Sequence, residues 1–380
     1  MLIVSGNGKT RKLLNNVESA LAIEKFLLLL DGCVSGVKMR KDKIDEAFNI
    51  VKDVLNIDML ESHFKILDLS SIDILKNDYL KSIIITDETV GNLSYSNNRI
   101  IGRGIIDSYS EAVRDMNTYC VSKNYFRSDK LLRFPALYEN RSSVSIMTVE
   151  PYEINTLDYY IRDAFGNVLI CGCGLGYAAY MLALKENVKS ITIVENNQDV
   201  IDLFHHQVFP QIPNNEKINI INDNAMNYLY NIDLSLYDFI NVDIWFDVFD
   251  MVYPYLKCLP LEEKYPNTKF SYWIENTFYV YLQRELLSNI LSIFSHSSIA
   301  SSDSFLLPLT NYIINNSYDI INSQESLNKF LSISNLKSKL IDYSKDNFDN
   351  LEVLGSMINS VRNDMISNID FLQSCKKLIK

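Results

Sequence analysis

The stretch NVLICGCGLGY (167–177) decides the fold. A short apolar run ends in Gly172, the first of three glycines within five residues, and helical composition begins at Tyr177 ("YAAYMLALKEN", 177–187). A strand that passes through a tight glycine turn into a helix is the opening unit of a parallel βαβ layer. The alternation then repeats. "SITIVE" (190–195), "KINIIND" (217–223), "YDFINVD" (237–243) and "KFSYWIE" (269–275) read as strands. "QDVIDLFHHQVF" (198–209) and "AMNYLYN" (225–231) read as helices between them. This pattern predicts an α/β fold with a Rossmann-like, doubly wound, mainly parallel sheet. Ligands bind beyond the carboxyl ends of such strands. Gly172, Glu195, Asp223, Asp243 and Glu275 all fall at that edge.

The flanks have a different texture. Residues 14–66 read as helices, with Leu21, Phe26, Leu29 and Leu30, and then Ile44, Phe48, Val51 and Leu55, at helical spacing. Between 67 and 150 short β-branched runs alternate with turn signals at Gly91-Asn92 and Asn97-Asn98. Ser108–Cys120 reads as a helix, "SSVSIMTV" (142–149) as a strand, and Pro151 as the start of a helix to about Arg162. Beyond 276 the pattern is mostly helical. Three regions follow: 1–150, an N-terminal helical and small α+β region; 151–300, the Rossmann-like domain; and 301–380, a helical C-terminal extension. No antiparallel strands are legible after Glu275, and "SIASSDSFLL" (298–307) is the candidate to complete the sheet edge.

Composition narrows the partners. The chain has 380 residues, 47% of them hydrophobic, which is ample for packed cores and excludes disorder. Its net charge of -11 disfavours phosphate backbones, so nucleic acid is an unexpected partner. The longest apolar run near the N-terminus, Phe26–Leu30, is far short of the roughly 20 residues of a membrane span. Cys33 after "LLLLDG" has a faint likeness to a lipoprotein site, but Asp31 and the missing leader argue against it. The six cysteines have no zinc or redox spacing. A cytoplasmic chain with a small-molecule substrate and no metal is expected, and the C-terminal helices leave a homo-oligomer open.

The glycine loop is Gly172-Cys173-Gly174-Leu175-Gly176. A dinucleotide fingerprint places its third glycine three residues after the second, where this chain has Tyr177. No Gly-Lys-Ser/Thr follows, so it is not a phosphate loop either. "VLICGCGLGY", "ITIVE", "INDNAMNYL" and "YDFINVD" resemble the motifs of class I S-adenosylmethionine (SAM)-dependent methyltransferases. The core is most similar to the spermidine-synthase-like branch. "VEPYEINTLDYY", "CGLGYAAYML", "VDIWFD" and "FSYWIE" resemble a bacterial set within that superfamily. The motifs span about 150–275.

The resemblance implies SAM as cofactor, bound by Gly172, Gly174, Gly176, Glu195, Asn196, Asp223, Asn224, Ala225 and Asp243. Glu195 would accept from the ribose hydroxyls, Asp223 would meet the adenine amine, and the amide of Asn224 or Ala225 a ring nitrogen. Asp243 is the implied catalytic residue, facing the sulfonium or the acceptor. Tyr152, Glu153 and Trp245 are the candidates for substrate contact. The chemistry agrees: vicinal hydroxyls suit one carboxylate, and strand-end acids stabilise a sulfonium. The 19 residues from Gly176 to Glu195 are close to the roughly 20 that separate a glycine loop from its ribose acid.

The expected activity is methyl transfer to a small acceptor. The alternatives are aminopropyl or other alkyl transfer from SAM or decarboxylated SAM, and a non-catalytic SAM-binding role. The pattern departs from the family in three places. No Asn/Asp-Pro-Pro-Tyr/Phe follows strand four, no Pro-Cys nucleophile is present, and Asp243 and Asp247 are spaced more widely than an aminopropyltransferase acid pair. His205-His206 cannot chelate from adjacent helix positions and reads as packing or surface. Arg103, between two glycines, reads as a solvated turn.

Overall fold

The computed structural model describes residues 2–4, 8–37, 64–68, 76–104, 106–140, 144–295 and 305–358. The chain begins with β1 (Ile3–Val4) and α1 (Gly8–Val37), where Leu14, Val17, Ala20 and Ile23 form the buried stripe. β2 (Phe64–Asp68) is a strand although helix was expected to residue 66. The helical spacing at Ile44–Leu55 lies outside the described residues. α2 (Asp78–Ser82) leads into an antiparallel sheet of β3 (Glu88–Val90), β4 (Leu93–Ile101), β8 (Leu132–Glu139) and β9 (Val144–Thr148). A second small sheet pairs β2, β5 (Ile106–Ser108) and β6 (Val113–Arg114) with β7 (Val121–Arg127). The turn at Gly91-Asn92 joins β3 to β4, whereas Asn97-Asn98 is a register shift inside β4.

The helix expected over Ser108–Cys120 is absent; β5, β6 and turns occupy it. Asp115 takes up the local donors, accepting from Asn117 N at 2.8 Å and Thr118 Oγ1 at 3.0 Å. Tyr119 adopts φ +62°. Arg114 is buried against Glu24 at 2.6 Å and also donates to the carbonyls of Tyr119 and Val280. One long-range ion pair thus outweighs a weak local propensity.

The central sheet contains β10 (Gly166–Cys171), β11 (Val188–Glu195), β12 (Ile218–Asn222), β13 (Phe239–Val242) and β14 (Lys269–Tyr272). It is parallel throughout, in the order β12-β11-β10-β13-β14. The order reverses at β10, a Rossmann-like arrangement whose switch point opens a crevice at the carboxyl ends. Between the strands run α4 (Tyr177–Ala183), α5 (Gln198–Leu203), α6 (Ala225–Asn231) and α7 (Val248–Lys264), and α3 (Pro151–Asp163) precedes the sheet. Side chains at the strand ends start the helices: Asn197 caps α5, Asn224 caps α6, and Asp247 caps α7 in a box with Asp250.

β14 is the sheet edge among the described residues. The candidate edge segment 298–307 does not supply a strand there: residues 305–306 turn and Leu307 opens a helix, while 298–304 lie outside the described residues. α8 (Glu275–Ser295), α9 (Leu307–Asn315), α10 (Gln324–Leu331) and α11 (Ile333–Asp346) follow, and β15 (Ile320–Ile321) pairs with β1. Most buried apolar residues from Leu2 to Ile358 form one large cluster, and Ile101, Phe126, Leu132 and Phe134 form a smaller one. No described helix is long and apolar enough to cross a membrane.

Candidate functional site

A cavity of about 470 Å³ lies over the carboxyl ends of β10, β11 and β13, within the range typical of small-molecule sites. Its floor is Gly172, Cys173, Gly174, Glu195 and Asp243. Trp245 and Trp273 form one wall: Trp245 Nε1 donates to the Trp273 carbonyl at 3.1 Å, and Trp273 Nε1 to Thr156 Oγ1 of α3 at 3.0 Å. Leu93, Leu137, Ile146 and Met147 of the antiparallel sheet roof it. An adjoining cavity of about 730 Å³ continues past Met147 and Glu153 to Glu139, Glu150 and Asp199.

The glycines answer to different neighbours. A Cβ on Gly172 (φ +102°) would collide with the Asp243 carbonyl, so this glycine lets the ends of β10 and β13 close together. A Cβ on Gly174 would overlap the Met147 Sδ, and one on Gly176 would overlap the Phe204 ring. The loop amides are largely committed within the protein. Gly172 N bonds to the Val194 carbonyl, Cys173 N to Glu195 Oε2 at 3.0 Å, Leu175 N to Met147 Sδ at 3.4 Å, and Gly176 N to the Cys173 carbonyl. Of loop residues 172–176, Gly174 N alone has no partner among the described residues. On the opposite side, the hydroxyls of Tyr95 and Tyr79 donate to the carbonyls of Gly174 and Leu175, each at 2.6 Å.

Three carboxylates face the cavity: Glu153, Glu195 and Asp243. Among the described residues no Lys, Arg or His lines it. Glu195 accepts from Cys173 N and Asn197 N, which fixes the carboxylate and leaves lone pairs for hydroxyl donors. Burial pushes the Asp243 carboxyl up to about 7. Burial, then Asp243 and Glu150, push Glu153 well above the usual carboxylate range. Arg99, the cation beside the adjoining cavity, is paired with Glu150 at 2.8 Å and Asp107 at 3.5 Å. Burial raises the Cys171 thiol to about 12 and lifts Cys173 as well, so both are poor nucleophiles.

The expected site residues divide into two groups. Gly172, Gly174, Glu195, Asn196, Asn224, Ala225, Asp243, Glu153 and Trp245 line the cavity. Gly176, Asp223 and Tyr152 do not. Gly176 spaces α4 from Phe204. Asp223 is half-buried and accepts from Asn227 Nδ2 and Asn224 N, an arrangement that serves the start of α6. The Tyr152 ring lies under Lys123 Nζ, 5.8 Å from its centroid. Tyr177, read as an obstacle to a dinucleotide, is buried against Tyr79 and Asn77, away from the cavity. Glu275 also stands apart, bonded to Tyr255 Oη at 2.7 Å and Lys337 at 3.2 Å.

His206 pairs with Glu88, His205 packs on Phe209, and Arg103 donates to the Asp129 carbonyl. Met147 and the residues roofing the cavity were not anticipated. They carry no motif, and only the long-range docking of β9 brings them to the loop.

No protein-family model matches the chain, and no curated protein is significantly similar to it. Among solved structures, a spermidine synthase from Thermotoga maritima overlaps with a TM-score of 0.28 at 13% identity, covering 47% of this chain and 69% of that one. A spermidine synthase in complex with the transition-state analogue AdoDATO overlaps with a TM-score of 0.29 at 12% identity, covering 61% and 93%.

Proposed function

We propose that the chain binds a sulfonium nucleoside and transfers an alkyl group from it to an amine, with decarboxylated SAM preferred over SAM. Aminopropyl transfer then takes precedence over methyl transfer. The observation that carries this reading is the charge of the cavity: three carboxylates, no lining cation among the described residues, and one uncommitted loop amide. Glu195 suits vicinal ribose hydroxyls, and the main chain at Asn224-Ala225 suits a ring nitrogen. The amino-acid carboxylate of SAM has no comparable partner, and an unpaired anion beside three acids is costly. A ligand that replaces that carboxylate with nothing, and so carries two positive charges, meets acids only.

The bound nucleoside would supply an electrophilic carbon next to its sulfonium: the amine would form the C–N bond as the C–S bond breaks, and the neutral thioether nucleoside would leave. Glu153 and Asp243 would hold cationic nitrogen, and Asp243 would accept the proton that the acceptor amine releases. A group held near pH 7 is matched to that task. Trp245 and Trp273 would exclude water from the same wall. Calorimetry with both nucleosides tests the reading. Decarboxylated SAM is expected to bind at least about tenfold more tightly, ~1.4 kcal/mol. Tighter binding of SAM, or heat from NAD alone, would contradict it.

A further inference from the structure

The thioether of Met147 sits in the hollow that Gly174 leaves by having no side chain. It also receives the Leu175 N–H. Met147 reaches this position from β9, which among the described residues is an edge strand paired with β8 alone, with Leu137 opposite Met147. The loop is held from behind by the two tyrosine hydroxyls, so turning a peptide to present another donor would break a bond to Tyr79 or Tyr95. An anionic group arriving at this spot loses its water, meets an apolar thioether, and finds one uncommitted amide in the described loop 172–176, Gly174 N.

We infer that Met147 is a specificity-determining residue: its side chain occupies the loop position that an amino-acid carboxylate needs, and so restricts the site to sulfonium nucleosides whose alkyl arm ends in an amine. This rests on the reading above that the site takes a sulfonium nucleoside. The amine-ended arm needs no loop donor, because Glu153 and Asp243 face the same cavity. Truncating Met147 frees Leu175 N and the hollow over Gly174 together.

Titration calorimetry of the full chain with SAM and decarboxylated SAM tests the assignment. Met147→Ala should gain SAM affinity by about tenfold or more while its affinity for decarboxylated SAM stays within about threefold. Met147→Leu, which refills the hollow, should keep the wild-type preference. Met147→Thr, equally short and at home in a strand, is measured in parallel in case the alanine variant does not fold. If the short variants keep the wild-type ratio, Met147 is not the filter, and the sulfonium reading stands. If Met147→Leu gains SAM affinity as fully as the short variants, general loosening of β9 is the cause and the assignment falls. If wild type binds neither nucleoside, both readings fall.

Discussion

Asp243 follows the last residue of β13, and its amide bonds to the Cys171 carbonyl, so its backbone is fixed where β10 and β13 meet. Its carboxyl group has no hydrogen-bond partner among the described residues, and burial alone lifts it to about 7. A base must be deprotonated to accept a proton. Turnover should therefore be low under acidic conditions and rise with pH through about 7. Asp243→Asn should lower kcat by about 10²-fold or more and nucleoside affinity by less than about tenfold. Steady-state kinetics over pH 5–9, paired with calorimetry, reads both quantities. A variant that loses binding and turnover equally would make Asp243 a cofactor residue and move the base elsewhere.

The element that follows Asp243 separates two acids that look equivalent in sequence. Asp247 is the N-cap of α7, accepting from Phe249 N at 2.8 Å and Asp250 N at 3.3 Å, and it does not line the cavity. Asp247→Ala should cost about 1 kcal/mol of stability and leave nucleoside affinity unchanged. Denaturant unfolding with calorimetry checks this, and lost affinity without lost stability would return Asp247 to the site. The sheet was legible because βαβ periodicity and the glycine turn are local signals that agree. The acid that ends β11, Glu195, and the one that follows β13, Asp243, were legible for the same reason. Asp223, Glu275 and Tyr177 stand at the element ends that periodicity locates but do not line the cavity, because periodicity does not fix the direction of a side chain. Met147 and the turns over Ser108–Cys120 were hidden because Gly174 and Glu24, which decide them, are 27 and 90 residues from Met147 and Arg114 respectively.

At the scale of the whole molecule, an acidic chain of net charge -11 buries carboxylates around a cavity in which no described cation answers them. That arrangement costs folding free energy, and the cost depends on pH. Below about pH 4 both the folded and the unfolded chain hold the protons of Asp243 and Glu153, and no cost arises. As pH rises, the unfolded chain releases them first, while Asp243 in the folded chain keeps its proton up to about 7 and Glu153 is raised in the same direction. Stability from these groups is thus lost progressively from about pH 4 to about 7 and stays low above it. The acids shifted down by hydrogen bonds, Glu88, Asp163 and Asp233, act with the opposite sign, and their contribution is complete once the unfolded chain's acids have ionised. Calorimetric unfolding of the ligand-free protein should show a falling Tm from pH 5 to pH 8. The double variant Asp243→Asn, Glu153→Gln should lose less, and at pH 8 it should exceed wild type by on the order of 1 kcal/mol. A saturating dicationic nucleoside should restore wild type at pH 8 more than at pH 5, because it binds the ionised cavity. Parallel pH profiles for wild type and the double variant would locate the cost outside the cavity and remove the electrostatic basis for a cationic ligand.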